Sequence, residues 1–205
     1  MDTRQKKIRF IILIPHKDAA KSFAEYRQKL FSIGVHGAYS FPIAVPLAEV
    51  EKPFSREELK DFARNIRELT RERDGKINSE RAATASCSSL SFFGPLLDLP
   101  VNEEAFPQSA RGKLHCILPP VLCAAIVEPG INLSEEPPIS EKAPILSFRA
   151  ASLANLTIRP LTGAEYSFEW EIGTPVWLPN FHAKTPRKVK NNEELHSNFR
   201  RLYIP

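Results

Sequence analysis

The chain has 205 residues, of which 42% are hydrophobic and 25% charged, and its formal net charge is +4. That length allows a sizeable core and that balance is an ordinary globular one, which excludes disorder of the whole chain. Prolines number 18 against 8 glycines, and neither G-x-G-x-x-G nor G-x-x-x-x-G-K-[ST] occurs, so the common nucleotide cradles are absent.

Ile8 to Pro15, IRFIILIP, is a continuous β-branched and aromatic run, the pattern of a strand buried on both faces. Asp18 to Phe31 follows with Phe23, Tyr26 and Leu30 at helical spacing and Asp18 in position to cap. Ser40 to Val50 is apolar; Pro42 and Pro46 forbid a helix there and predict an edge or irregular strand. Ser55 and Glu58 form a capping box before Leu59, Phe62, Ile66 and Leu69, which fall on one helical face. Arg56, Lys60, Arg64, Arg67 and Arg71 lie on its other side as a solvated face.

Thr84 to Leu99 reads as an extended segment ending at Pro100, and Val101 to Gly112 as a polar loop. Pro119 and Pro120 break any helix in the apolar run from Lys113, leaving Val121 to Val127 as a buried strand. Residues 128–144 hold four prolines and four acids, an exposed connection. Leu153 to Pro160 and Tyr166 to Ile172 make a hairpin. In the second strand Tyr166, Phe168, Trp170 and Ile172 alternate with Ser167, Glu169 and Glu171. Asn191 to Leu202 closes as a short helix. These elements predict one α+β domain over residues 1–205, its two lobes separated by the proline-rich connection.

The apolar stretch FIILI is shorter than a signal-peptide core, and no run approaches a membrane span; a cytoplasmic protein without a membrane partner is expected. Cys87, Cys116 and Cys123 form no C-x-x-C and suit reduced thiols. The five histidines lack ligand spacing, so neither metal nor cofactor is expected. Charge concentrates at the ends. Lys184, Arg187, Lys188, Lys190, Arg200 and Arg201 face only Glu193 and Glu194 after residue 180, and Arg4, Lys6, Lys7 and Arg9 face only Asp2 before residue 10. Such ends attract a polyanion.

FHAKTPRK, residues 181–188, follows the strand-like PVWLPN. With the opening RFIILIP and helix, the second strand followed by SREEL, and WLP before a histidine with Arg187 five residues later, the chain resembles the two-histidine (2H) phosphoesterases. These are the bacterial RNA 2′,5′-ligase-like and cyclic phosphodiesterase proteins. The resemblance implies a two-lobed, pseudo-symmetric α+β fold with antiparallel sheets around a central cleft and helices outside. It also implies action on RNA or a nucleotide bearing a terminal or cyclic phosphate. Each lobe would carry a His-x-Thr/Ser motif on a strand, one imidazole as base and the other as acid.

In this chain His182 stands at the second motif, with Lys184 where the hydroxyl residue belongs. Lys184, Arg187 and Lys188 would hold the phosphate as point charges and a fork. At the first motif Ala44 stands for the histidine and Pro46 for the hydroxyl residue, and neither transfers a proton. His36, beside Gly37, is the candidate replacement from a nearby loop; His16, His115 and His196 read as structural or surface residues. Three readings follow: a 2H-type RNA or nucleotide phosphoesterase using His182 and His36, a silent relative that binds RNA ends or nucleotides, and an interaction domain with a solubilising tail.

Overall fold

A computed structural model describes residues 6–32, 36–70, 77–87, 90–97, 99, 101–127, 148–160 and 166–178. Among these the chain is α+β: two α-helices and two antiparallel sheets, with more strand than helix. The predicted connection at 128–144 and the terminal helix at 191–202 lie outside the described residues.

β1 (Lys6–Pro15) is the hub of the larger sheet. It pairs antiparallel with β2 (Val45–Val50) on one side and along its whole length with β7 (Phe148–Pro160) on the other. β5 (Leu114–Cys116) extends the sheet beyond β2, and β8 (Tyr166–Ile172) and the short β9 (Val176–Trp177) both pair with β7. The smaller sheet is the hairpin β3 (Ile77–Ser86) and β4 (Ser91–Leu97) with β6 (Ala125–Val127) beside β4. The extended segment expected over 84–99 is therefore two strands. The turn between them is closed by the Cys87 N–H donating to the Leu90 carbonyl at 2.9 Å.

Because strand side chains alternate in direction, β1 feeds two cores. Ile8, Phe10, Ile12 and Ile14 enter a cluster with Ala85, Phe92 and Ile126 of the smaller sheet. Ile11 and Leu13 enter the other, with Phe23, Tyr26 and Leu30 of α1 (Lys17–Ser32) and Leu59, Phe62 and Ile66 of α2 (Arg56–Thr70). The continuous apolar run of β1 is this double burial. α1 starts one residue before the expected cap: Ala20 N–H bonds the His16 carbonyl at 3.0 Å, and Asp18 sits inside the first turn, where a negative charge suits the helix dipole.

The capping box is realised in both directions. Ser55 N–H donates to Glu58 Oε2 at 2.9 Å and Glu58 N–H to Ser55 Oγ at 3.2 Å. On the solvent side of α2, Arg56, Lys60, Arg64 and Arg67 are interleaved with Glu57, Asp61 and Glu68, and Arg64 pairs with Asp61 at 3.2 Å. This face is solvated, as expected, and mixed in charge; Arg71 lies outside the described residues. The 101–112 segment is more than a polar loop: Phe106 stacks on Phe62 with centroids 4.9 Å apart, and Asn102 caps a 3-10 turn over Glu103–Ala105.

Of the two forms expected for Ser40–Val50, an edge or an irregular strand, β2 is the irregular one: it lies between β1 and β5. Pro46 is tolerated because β5 reaches only Ala48, Glu49 and Val50, and because the β1–β2 register shifts between Ile11 and Ile12 beside it. The strand expected at 121–127 is regular only from Ala125. Before that the chain bonds alternately to both sheets. Cys123 N–H donates to the Ala44 carbonyl at 3.0 Å, and Leu122 and Ala124 N–H donate to Pro95 and Phe93 of β4 at 3.0 and 2.7 Å.

Candidate first-motif site

The segment Phe41–Val50 holds the two positions where the resemblance places the first motif. Ala44 is 1% exposed and Pro46 is buried. Pro46 faces Ile12 across the sheet, and Ile12 faces Ser152 of β7. Ala44 belongs to the apolar cluster between the sheets, together with Phe10, Phe41, Phe92, Ile117, Val121 and Cys123. Four rings fill the middle of it. Phe41 meets Trp170 at 4.1 Å and Phe92 at 5.0 Å between centroids, both edge to face, and Phe10 meets Phe92 at 5.5 Å. Edge-to-face pairs add roughly 0.5–1.5 kcal/mol each beyond their buried area. Ala44, just before β2, brings a methyl group to this cluster.

Cys123 is the titratable group nearest in chemistry to a nucleophile here. Its thiol is pushed up to about 12, because burial penalises the thiolate; the positive charge of Arg27 offsets this in part. A thiol that stays protonated at neutral pH is a packing group. Cys116 is also raised, by burial first and by the charge of Glu103 second.

The loop before Phe41 is held by two side chains from other elements. Arg27 of α1 is 4% exposed, and its Nε donates to the Ala38 carbonyl while Nη2 donates to the Phe41 carbonyl at 2.6 Å. Trp170 Nε1–H donates to the Ser40 carbonyl. Two backbone carbonyls of one loop thus receive a buried guanidinium, which satisfies both at once. Sequence reasoning passed over Arg27, although the signal was present: it lies four residues after Phe23, on the apolar stripe of α1.

His36 opens the 3-10 turn His36–Tyr39 beside this clamp; its side chain is outside the described residues. Gly37 lies within that turn and also makes room for a neighbour. A Cβ there would stand 1.8 Å from the Ile126 carbonyl oxygen, so glycine lets the turn touch β6. His182, Lys184, Arg187 and Lys188 lie outside the described residues. The strand leading toward them is anchored as far as Leu178, whose N–H donates to the Arg149 carbonyl at 2.7 Å. Its neighbour Trp177 is 48% exposed, with the Arg149 guanidinium 6.0 Å from the ring centre.

Of the other histidines, His115 is exposed on β5, and His16 is exposed at the end of β1 with Nδ1 3.7 Å from Asp18 Oδ2. Among the described residues no group of three His, Cys, Asp or Glu side chains could hold a metal ion, and no helix is long and apolar enough to cross a membrane. No family model, curated protein or solved structure matches this chain.

Proposed function

We propose that the chain is a catalytically silent relative of the two-histidine phosphoesterases, one that binds the phosphate of an RNA end or nucleotide without turning it over. The observation that carries this reading is the sealed, apolar setting of Ala44 and Pro46. Two-histidine catalysis divides proton removal and proton donation between two imidazoles, and a methyl group inside a ring cluster offers neither. Binding needs less. Lys184, Arg187 and Lys188, close together in sequence, can neutralise phosphate oxygens with no proton moved. The pseudo-symmetric two-lobed arrangement belongs to the same proposal.

The test pairs turnover with binding. A nucleoside 2′,3′-cyclic phosphate incubated with the protein between about pH 5 and 9, the range in which imidazoles titrate, is expected to stay closed. A short RNA with a 3′-phosphate is expected to bind, with affinity falling as salt rises along a log–log slope of about −2 for three phosphate contacts on a single strand. Replacing Lys184, Arg187 and Lys188 together by Ala should flatten that slope. Ring opening that disappears in His182→Ala and in His36→Ala would overturn silence and establish a phosphodiesterase. Absence of RNA binding would overturn the phosphate-binding role.

A further inference from the structure

β8 is the outermost strand of the larger sheet among the described residues, and its two faces differ in chemistry. Phe168, Trp170 and Ile172 pack half-buried against the inter-sheet cluster. Glu169 and Glu171 point the other way, and the Glu169 side chain is 57% exposed. Charge is layered across this outer face. Lys7, Thr157 and Glu169 lie in one cross-strand row; Arg9, Asn155 and Glu171 lie in the next. In these two rows cations sit on β1, neutral polar groups on β7 and acids at the rim. Arg159 Nη2 meets Glu169 Oε2 at 2.8 Å, whereas the residue directly opposite Glu171 is the uncharged Asn155.

We propose that β8 is a docking edge for an extended basic segment of a partner protein, which adds to the sheet as a further strand. In an antiparallel sheet alternate residues aim their N–H and C=O groups away from the existing neighbour, and such an edge is a template for another strand. A segment that alternates Lys or Arg with β-branched residues meets both faces of β8. Its apolar side chains extend the row of Phe168, Trp170 and Ile172, and its cations stand opposite Glu169 and Glu171, where opposite charges attract across strands.

The same acids disfavour a second copy of this chain. Two-fold pairing of β8 with β8 centred on Glu169 sets Glu169 against Glu169, and centring on Trp170 sets Glu169 against Glu171. Like charges directly opposite are destabilising, so the edge rejects itself while accepting a cationic strand.

The test uses the full chain carrying Trp177→Phe, which leaves Trp170 as the reporter because the chain has 2 tryptophans. The probe is a capped heptapeptide of alternating Lys and Val. Saturable change in Trp170 emission is expected, with slowed amide exchange over 166–172. Glu171→Lys should weaken binding about tenfold, reversing one cross-strand attraction into repulsion. A Glu–Val peptide should bind only the Glu169→Lys/Glu171→Lys protein. Four results would overturn the proposal: no binding, binding indifferent to Glu171→Lys, equal binding by a peptide methylated on alternate backbone nitrogens, or self-association of the protein alone that Glu171→Lys abolishes.

Discussion

Gly37 and Gly94 occupy places where one stretch of main chain passes directly over another. A Cβ on Gly94 would lie 1.9 Å from the Leu122 carbonyl oxygen and 3.0 Å from the Ala124 nitrogen. Both obstacles are backbone of a segment that the Leu122 and Ala124 N–H groups tie to β4, so neither can rotate aside. Gly94→Ala is therefore expected to destabilise by about 3 kcal/mol, the upper end for overpacking, read as a lower urea midpoint with an unchanged slope. Gly112 makes the opposite case: its φ is +75° with nothing near, so its role is conformational. At this scale the sequence is least legible. All three positions read simply as Gly, and what separates them is a neighbour more than ten residues away or a backbone angle. Ala44 was legible as a residue that carries no proton, because side-chain chemistry is local; that it is buried in one cluster with Phe41 and Phe92 needed the tertiary fold.

Among the elements, local chemistry decided the outcomes that came out as expected. The capping box fixed the start of α2 because both of its bonds span only three residues, and the alternation in Tyr166–Ile172 set the β7–β8 register because one face had to be buried. The start of α2 also titrates. The Glu58 carboxyl is held below the usual range, by the Ser55 N–H first and the Ser109 hydroxyl second; Ser109 Oγ–H donates to Glu58 Oε1 at 2.8 Å. A carboxyl lowered on folding contributes stability that is complete above its unfolded value, about pH 4.3, and is lost as pH falls through the folded value. Stability of the wild type should thus fall more steeply below about pH 4 than that of Glu58→Gln, measured by urea unfolding at a series of acid pH values. Equal slopes would remove Glu58 from the acid response. The elements that departed from expectation were set by partners distant in sequence. Pro46 marked an edge or an irregular strand; that it is not an edge was decided by β5, which pairs with Ala48, Glu49 and Val50, and nothing within Ser40–Val50 announces that.

For the whole molecule, the segment from Ile117 to Ala124 matters more than its irregular backbone suggests. Ile117 N–H and Cys123 N–H bond Leu47 and Ala44 on the β2 side, while Leu122 and Ala124 N–H bond Pro95 and Phe93 on the β4 side. β1, meanwhile, supplies both apolar clusters. Unfolding should consequently be one cooperative transition, and the amides of Cys123 and Ala124 should exchange with solvent only through global opening. Hydrogen exchange checks this: protection of those amides well below that of Ile11 and Ile12 in β1 would show that the sheets separate independently. Seamed in this way, the two sheets cannot part like a clamshell to swallow a guest without breaking main-chain bonds on one flank or the other. Among the described residues, a guest of these sheets is therefore met from outside, on a surface whose shape is already set before the encounter.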